Sequence, residues 1–466
     1  MIHTVQTPQL RLLHRGKVRD SFYLSPTTRL IVVSDRISAF DLKIRTLIDG
    51  KGEILNRLAA FWFEKTSHIV PNHVVSLPDG QAMVVRECVP IKVEMVVRGA
   101  ICGTMWRGYK SGLRSFSGVA LPDGLTENAL LPAPVVTPTT KEESDREITP
   151  DDIVASGLAD ARIYAQMHAV SLQLFELGRQ FAAEKGLILA DTKYEFGLYD
   201  GALMLMDEIH TPDSSRFFDA AAYAADPLNI SSFDKEFVRK WMRANRVDGA
   251  LPLDLPDDVV RETRNRYATL FERLTGSQLP VDPRTPLQRL RDNLVAHGLI
   301  SDGYVAIVMG SRVDLPWCES IAVEIRRYGI TVDLRVISAH KNGNQIVHAA
   351  NEYNQSLEPG AIIAVAGESN GLGGALAAAC NLPVINCPPF KDDADYLVNI
   401  HSSLRMPSKT PAATVCKPKL AALAAMRALN LPRLRKLFSQ EIIAMRAGLA
   451  QDDEQVRQAG RAESLR

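Results

Sequence analysis

Three apolar runs in the last third of the chain each end in a short polar loop, and each loop leads into a helix-like segment. The runs cover residues 305–309, 334–337 and 361–366, and each is followed directly by glycine or serine. Repeated strand, loop and helix units are typical of a parallel α/β sheet, which binds ligands where the carboxyl ends of its strands meet. The pattern therefore predicts an α/β domain whose binding site is built by these three loops.

The remainder of the chain has a different pattern. A length of 466 residues predicts at least two independent cores. Before a glycine- and proline-rich stretch that starts near residue 276, strand patterns come first and helical patterns at 51–65 and 160–185 follow, which predicts an α+β domain with antiparallel sheets. The amphipathic segment 287–299 is either a connector helix or part of an assembly surface. We predict a first domain over 1–275, a linker with a short helix over 276–302, a second domain over 303–440, and a C-terminal helix and tail over 441–466 that frays into disorder from about Asp452.

Composition and cysteine spacing limit the partners, the metal sites and the cellular compartment that we expect. Lys plus Arg and Asp plus Glu both total 54, so no nucleic-acid or membrane partner is expected. Six cysteines without CxxC spacing argue against a zinc site and for a reducing compartment. No apolar run reaches the roughly 18 residues that span a bilayer. We expect a soluble, cytoplasmic protein.

Two acids in the first domain are candidates for a metal site. Strands at 187–196 and 202–209, joined by a three-residue loop at 199–201, would place Glu195 and Asp207 on one face. Two carboxylates so placed suit a Mg²⁺ ion that bridges nucleotide phosphates. A two-residue loop would turn them to different faces, and a solvated hairpin with ordinary surface acids is the alternative.

Basic residues near strand ends are candidates for anion binding. Gly16 and Lys17 form a turn between two strands, where an ammonium group can approach phosphates. Arg98, with Thr104 shortly after it, and Arg216 follow strand patterns, and arginine binds phosphate through paired hydrogen bonds. A surface salt bridge is the alternative for each arginine.

The three C-terminal loops carry complementary chemistry. Ser311 and Asp314 stand at a helix start, which favours an anion, and Asp314 either holds ribose hydroxyls or caps the helix. His340 follows the second strand beside a basic residue, and an imidazole there can move a proton at physiological pH. The third loop combines Ser369 and Asn370 with glycines that allow close approach of a flat ligand.

Motifs in order along residues 1–275 resemble those of phosphoribosylaminoimidazole-succinocarboxamide synthase, a purine-pathway ligase with an ATP-binding fold. They are the segments 16–20, 34–41, 189–197 and 207–216. The resemblance implies that ATP activates a carboxy-aminoimidazole ribotide as an acyl phosphate, which L-aspartate then displaces. It also implies site roles: Gly16 and Lys17 at ATP, Glu195 and Asp207 on Mg²⁺, Arg98, Thr104, Asp213 and Arg216 around the ribotide, and Lys193 near the reacting carboxylate.

Residues 303–440 resemble phosphoribosylaminoimidazole carboxylase, in the class that uses CO₂ directly and needs no cofactor. The matching segments are 309–311, 338–341, 366–374, 383–389 and 402–407. The resemblance implies a three-layer flavodoxin-like sheet and assembly into a homo-octamer. It implies that His340 shuttles a proton, that Lys341 and Ser369 hold CO₂, and that the ribotide is bound by Ser311, Asp314, Ser338, Gly367, Asn370 and Gly371.

The two resemblances imply consecutive steps of purine biosynthesis, with aminoimidazole ribotide, CO₂, L-aspartate and ATP as small-molecule substrates. Val313 replaces a serine that is usual in the carboxylase family, and Glu368 replaces a basic residue of related two-domain enzymes. One alternative is an active ligase with a non-catalytic nucleotide-sensing or scaffold domain behind it. A second alternative is a kinase, because a glycine-loop lysine and paired acids also serve there.

Overall fold

The structure is a computed structural model that describes residues 1–142, 146–230 and 232–463. The chain forms two units. The first comprises Met1–Thr4 and Arg11–Leu294, and the second comprises Val5–Leu10 and the chain from Val295 onward. Each unit is described separately below.

The two units differ from the predicted domains at both ends of the first one. Residues 5–10 pack with the second unit, because Gln6 forms a β-bridge with Ser356 and its carbonyl accepts the N–H of Leu357 at 2.8 Å. The predicted linker 276–302 is split, since its residues up to Leu294 pack with the first unit. Local composition does not reveal either contact.

Antiparallel sheets form the framework of the first unit, as predicted. One sheet has the order β1-β2-β3-β7-β6, and a second has the order β11-β8-β13-β14, with β12 paired to β8 and β15 paired to β13. Two small ribbons, β4-β5 and β9-β10, lie outside these sheets. The strands are β1 (Leu12–Arg15), β2 (Arg19–Ser25), β3 (Thr28–Val33), β4 (Ser38–Ala39), β5 (Leu42–Lys43), β6 (Val74–Asp79), β7 (Ala82–Arg86), β8 (Val89–Ala100), β9 (Ser115–Phe116), β10 (Val119–Ala120), β11 (Leu130–Val136), β12 (Thr139–Thr140), β13 (Leu187–Tyr199), β14 (Ala202–Met206) and β15 (Ser215–Asp219).

Helices cover the apolar faces of these sheets. Buried residues of α1, α4 and α7 join strands β8 and β13 in one core, which includes Trp62, Phe175, Tyr194 and Tyr267. Burial of such large side chains is the main stabilising contribution. The helices are α1 (Lys51–Lys65), α2 (Gly103–Lys110), α3 (Pro150–Ala155), α4 (Ala161–Glu184), α5 (Ala220–Ala225), α6 (Glu236–Ala244), α7 (Asp257–Thr275) and α8 (Pro286–Ala296).

The second unit is a parallel α/β sheet, as predicted. Its strand order, β17-β16-β18-β19-β20, is the flavodoxin-like order 2-1-3-4-5. All of its strand pairs are parallel. Its elements are β16 (Tyr304–Met309), α9 (Leu315–Arg327), β17 (Thr331–Val336), α10 (Asn344–Asn354), β18 (Gly360–Val365), α11 (Gly371–Ala379), β19 (Val384–Asn386), α12 (Asp393–Leu404), β20 (Ala413–Thr414), α13 (Pro418–Leu429) and α14 (Pro432–Glu463).

Strand β16 shows why this sheet has helices on both sides. Every residue of β16 is buried, and alternate residues belong to two different cores. Val305 and Ile307 pack with α9 and α13, whereas Ala306 and Val308 pack with α10 and α11. Because alternate side chains of a strand point to opposite faces, the sheet is the middle of three layers.

The C-terminal helix is longer than predicted. We expected fraying from about Asp452, but α14 continues to Glu463, and residues 464–466 lie outside the described residues. Polar composition suggested disorder, yet pairs one turn apart support the helix, such as Asp453 with Arg457 at 3.8 Å. No helix in the described ranges is both long and apolar enough to cross a membrane.

Two histidines lie in the core of the first unit. Nε2 of His210 is 2.6 Å from the hydroxyl of Tyr194, and its ring packs edge-on against Trp62. Gly178 allows this packing, since a Cβ there would lie 2.3 Å from the imidazole. Burial lowers the pKa of His210 to about 3, and burial together with neighbouring arginines lowers the pKa of His73 to about 3. Both imidazoles are therefore neutral in the folded protein.

We predict that stability decreases on mild acidification. An unfolded histidine has a pKa of about 6.5, so between about pH 6.5 and pH 3 the unfolded state binds more protons and unfolding becomes easier as the pH falls. Each buried histidine contributes up to about 1.4 kcal/mol per pH unit. Urea unfolding at several pH values between pH 7 and pH 5 measures the free energy of unfolding. This free energy should fall less steeply with decreasing pH in His210→Leu than in the natural chain. His68→Leu, which removes an exposed imidazole, is the matched control, and an unchanged slope in His210→Leu would contradict the assignment.

Candidate active sites

A polar face on β8, β13 and β15 carries four of the nine residues predicted for the N-terminal site. Asp191 on β13 pairs with Arg98 on β8 and with Arg216 on β15. Lys193 and Glu195 share the face of Asp191, because alternate residues of a strand point the same way. The structure therefore brings these five residues to one surface.

Arg98 and Arg216 donate hydrogen bonds to the same carboxylate oxygen. Their Nη1 atoms lie 3.3 Å and 3.1 Å from Oδ2 of Asp191. Nε of Arg98 also donates to Thr137 at 2.9 Å, and Nε of Arg216 donates to Asp234 at 3.0 Å. Both guanidinium groups are thus held in fixed orientations, which suits the binding of an anion through paired hydrogen bonds.

Thr104 lies beside this arginine pair, in the first turn of α2. Its neighbour Gly103 has φ of 58°, and a Cβ there would lie 2.8 Å from Nη1 of Arg216, so glycine permits the close approach. Oγ1 of Thr104 accepts a hydrogen bond from Arg107 at 3.0 Å. Burial and the positive charge of Arg243 lower the pKa of Arg107. Helix α2 therefore adds a hydroxyl group and another cation.

Lys193 is the centre of a charge network. Its Nζ lies 2.5 Å from Oε1 of Glu94 and 3.1 Å from Oε1 of Glu195, while Lys141 pairs with the second oxygen of Glu195. Burial opposes the charge on Lys193, but Glu195 and Glu94 outweigh it and raise the pKa of Lys193. Lys193 therefore supplies a positive charge and does not act as a base at neutral pH.

The predicted loop of the acidic hairpin was wrong. Glu195 pairs with Met206, which leaves only residues 200–201 in the turn, both with positive φ. This is the two-residue geometry that matches the twist of a hairpin, and an Asp-Gly sequence favours it. In a regular strand the next residue, Asp207, would face away from Glu195.

Asp207 nevertheless lies near the same cations as Glu195. The strand ends before Asp207, whose φ of 68° turns the chain, and its carboxylate is bound by Arg19. Burial opposes ionisation, but Arg19, Lys141 and Lys193 outweigh it and lower the pKa of Asp207 to about 2. Lys141 and Lys193 are the two cations paired with Glu195, so the two acids lie near the same positive charges.

In the turn predicted to bind ATP, Lys17 and Arg19 pair with different acids. The N–H of Gly16 donates to the carbonyl of Arg19 at 2.8 Å, which closes the turn. Lys17 pairs with the exposed carboxylate of Asp41. Arg19, two residues further on, reaches the acids and lies 2.7 Å from Glu208. The turn and the strand that follows it thus present one exposed cation, Lys17, and one largely buried cation, Arg19.

Asp213 lies in a buried cluster instead of on the polar face. Its carboxylate is 2.9 Å from Lys51 and 3.8 Å from Lys235, and it accepts a hydrogen bond from Tyr267 at 2.8 Å. Burial opposes ionisation, but the two lysines outweigh it and lower the pKa of Asp213. The cluster fixes the start of the loop that leads to Arg216.

A second site lies in the parallel unit. A pocket of about 290 Å³ opens at the carboxyl ends of β16, β17 and β18, on either side of the point where the strand order reverses. Burial raises the pKa of Asp314. Asp314 is the N-cap residue of α9, but among the described residues its side chain makes no capping hydrogen bond to the helix. Six predicted residues line the pocket: Ser311, Asp314, Ser338, His340, Gly367 and Ser369.

Three predicted residues lie beside the pocket and do not line it in the described structure. Asn370 accepts the N–H of Gly373 at 3.2 Å and donates to Ser403 at 2.9 Å, so its amide caps α11. Gly371 lies next to the catalytic candidate, because a Cβ there would be 3.4 Å from Nε2 of His340. Lys341 is exposed.

The two departures from the carboxylase pattern have different positions. Val313 is 84% exposed and lies outside the pocket lining. Glu368 lines the pocket with φ of 54°, and its N–H donates to Asn399 at 2.6 Å. The pocket therefore presents a second carboxylate besides Asp314.

Several charged residues of the N-terminal site were missed from the sequence. Asp191 and Arg19 lie inside the recognised motifs, and their charge was a usable signal. The others come from distant segments and meet the site only after folding. They are Lys51, Glu94, Lys141, Asp234 and Lys235.

Two protein families match successive parts of this chain. The sequence model of SAICAR synthetase matches residues 12–252, and that of AIR carboxylase matches residues 304–450. The first match covers the polar face with its acids, and the second covers the pocket at the ends of the parallel strands.

Similar proteins support the first match. Phosphoribosylaminoimidazole-succinocarboxamide synthase of Bacteroides fragilis is 41% identical over 299 residues, which cover 62% of this chain and 95% of that protein. The corresponding synthase of Leptothrix cholodnii is 44% identical over 295 residues, which cover 58% of this chain and 97% of that protein. The solved structure of SAICAR synthase from Saccharomyces cerevisiae in complex with SAICAR is 33% identical, with a TM-score of 0.55, and covers 60% of this chain and all of that one.

These matches agree with the two units and the two sites described above. The antiparallel unit carries the ligase domain, and the parallel unit carries the AIR carboxylase domain. The chain is a bifunctional enzyme of purine biosynthesis with ligase and carboxylase domains, and it belongs to the SAICAR synthetase family.

Proposed function

We propose that the two domains catalyse consecutive reactions. The C-terminal domain carboxylates 5-aminoimidazole ribotide with CO₂, and the N-terminal domain joins the product to L-aspartate at the expense of ATP. The observation that carries this proposal is the convergence of His340, Ser311 and Ser369 on one pocket in a chain whose other unit has the ligase fold. The carboxylase product is then the substrate of the ligase. The free thiols of all six cysteines fit a cytoplasmic location.

The ligase reaction requires neutralised charge on both reactants. The γ-phosphoryl group of ATP is transferred to the ribotide carboxylate with release of ADP, and the aspartate amine then attacks the acyl carbon, displaces phosphate and loses a proton. The ammonium group of Lys193 is suited to lie near that carboxylate, because its neighbouring acids keep it protonated. Lys17 approaches the ATP phosphates from the Gly16 turn.

The ribotide phosphate of the ligase substrate is bound by the arginine pair. Arg98 and Arg216 are fixed against Asp191, so their guanidinium groups are oriented before a ligand arrives. Thr104 adds a hydroxyl donor beside Arg216. Asp213 acts by holding the loop that ends at Arg216, through its bonds to the buried lysines.

Glu195 and Asp207 are suited to bind a Mg²⁺ ion whose coordination the nucleotide phosphates would complete. Among the described residues no cluster of three or more His, Cys, Asp or Glu is arranged to hold a metal. Mg²⁺ is commonly held by one or two carboxylates together with substrate phosphates and water. The low pKa of Asp207 keeps one such carboxylate ionised at neutral pH. The ion would neutralise charge on the transferred phosphoryl group.

In the carboxylase domain the ring carbon of the ribotide attacks CO₂, a carbon–carbon bond forms, and the ring proton must leave. His340 lines the pocket and is suited to receive that proton. Ser311, Asp314 and Ser338 bind the ribotide, with the backbone at Gly367 and Gly371 leaving room for the flat ring and Asn370 fixing the loop. Ser369 holds the new carboxylate, and Lys341, next to His340 in the chain, adds positive charge. No cofactor is required by these steps.

Separate inactivation of the two domains tests the proposal. His340→Asn should lower the carboxylase rate by about 10²-fold or more, because a general acid–base group typically contributes 10² to 10⁴. The same variant should convert supplied carboxylated ribotide at the normal ligase rate. Glu195→Gln should show the reverse pattern, and product analysis with each substrate supplied alone measures both. Unchanged carboxylation in His340→Asn would instead support a non-catalytic scaffold domain.

Direct use of CO₂ makes a second prediction. Carboxylation of aminoimidazole ribotide should proceed without ATP and without release of ADP. When the reaction is started with dissolved CO₂ instead of bicarbonate, the initial rate should be higher, and added carbonic anhydrase should remove the difference. An absolute requirement for ATP would exclude the direct class.

We propose that the C-terminal unit assembles the enzyme into a homo-octamer. Apolar side chains remain exposed on α12 and α14, including Val398 and Leu449, both 62% exposed. Such surfaces commonly mark protein contacts. Light scattering should therefore report a particle of eight 51.3-kDa chains. A monomer with full carboxylase activity would contradict this assembly.

A further inference from the structure

Helix α8 is anchored to the ligase unit by one buried arginine. Nη1 of Arg289 lies 2.6 Å from Oε2 of Glu53, and its Nε lies 3.0 Å from Oδ2 of Asp79. Nη2 donates to Gln81 at 3.3 Å, and Arg289 as a whole is 7% exposed. Asn293, one turn later, donates to the same Asp79 oxygen at 2.7 Å. A guanidinium group with so many fixed partners defines both the position and the rotation of the helix.

The partner Glu53 belongs to the first turn of α1, whose three leading residues are each bound. Glu53 is paired with Arg289, the N–H of Gly52 donates to Asp35 at 2.9 Å, and Nζ of Lys51 lies 2.9 Å from Asp213. The Lys51 side chain is fully buried. One helical turn therefore joins α8 at one side to the loop of the ligase site at the other.

This turn has little freedom to shift. A Cβ on Gly52 would lie 2.4 Å from the carbonyl oxygen of Val33, so the backbone is packed directly against β3. Gln81 makes a second connection, because it accepts from Arg289 and donates to the Asp35 oxygen that holds Gly52, at 3.4 Å. Packed groups of this kind transmit displacement instead of absorbing it.

We propose that the ligase site depends on α8 for its geometry and that Arg289 is a positioning residue for the site. Arg289 fixes the first turn of α1, which places Lys51 against Asp213 and so sets the loop that carries Arg216. This inference rests on the proposed roles of Asp213 and Arg216 in the ligase reaction. Helix α8 lies outside the residues matched by the ligase family, 12–252, so the match alone does not assign it this role.

Ligase kinetics of the full-length enzyme test the proposal. Arg289→Met should lower the ligase kcat by about tenfold or more with a smaller change in KM, because misplacement of catalytic groups by about 1 Å can cost about 10²-fold. Arg289→Lys retains the charge without the planar fork and should give an intermediate kcat. The carboxylase rate of the same preparations should stay normal. Arg291→Met is the matched control, since Arg291 lies on the same helix and bonds to its neighbour Asp292.

A second variant separates positioning from stability. Arg289→Met removes the cation that lies between two buried acids, of which Glu53 keeps a second partner, Arg57, at 2.8 Å, and the domain can lose stability for that reason alone. Adding Asp79→Asn removes the charge of the acid that Arg289 paired and should raise the melting temperature again, while kcat stays low because α1 is still released. Recovery of kcat together with the melting temperature would overturn the proposal and leave Arg289 a purely structural role.

Hydrogen exchange supplies a readout that does not depend on ligase activity. The amide of Gly52 should exchange faster in Arg289→Met and in the double variant than in Arg291→Met. Faster exchange with an unchanged ligase kcat would mean that α1 is released but that the site does not depend on it, which would overturn the proposal. A natural chain without ligase activity would contradict the proposed function itself, and the exchange result would still show whether Arg289 holds α1.

Discussion

Mutual neutralisation of buried charge is the constraint on which the ligase unit depends. Burying an ion is costly unless an opposite charge and hydrogen bonds compensate for it. On the central strand β13, Asp191, Lys193 and Glu195 are largely removed from water, and their partners come from other strands and loops. The polar face is therefore stable only when those segments are in place. The same ion pairs that complete the fold also hold the groups that we propose for binding an anionic substrate.

The carboxylase unit depends on chain topology more than on charge pairs. Its pocket forms because three parallel strands end at one edge, on both sides of the reversal in strand order. Many of the side chains that line it are short, including Ser311, Ser338 and Ser369, so backbone position largely determines the geometry. This difference explains why the three loops of the second unit were readable from sequence order, whereas the ligase site required long-range pairings.

Local patterns predicted the elements well where the local signal was strong. The apolar spacing of 51–65 predicted α1 with the bounds it has in the structure, and the three apolar runs predicted three of the five parallel strands, β16, β17 and β18. The predicted length of the hairpin loop was wrong because Tyr199 was counted in the turn. Asp200 and Gly201 alone supply the positive φ values that a two-residue turn needs. Neighbours such as Lys51 lie far from the motifs in sequence, and their burial is decided by partners that no local pattern specifies.

The predicted linker is a second case in which local sequence did not indicate burial. A stretch rich in proline and charge reads as a connection between domains, yet Arg289 within it is buried against Glu53 and Asp79. A charged residue on a short polar helix carries no sign of burial, because the acids that offset its desolvation lie 210 and 236 positions away in the chain. A ligase domain cut at residue 275 would keep both acids and lose the cation between them. The boundary of the antiparallel unit therefore lies near Leu294, so most of α8 packs with the unit that precedes it in the chain.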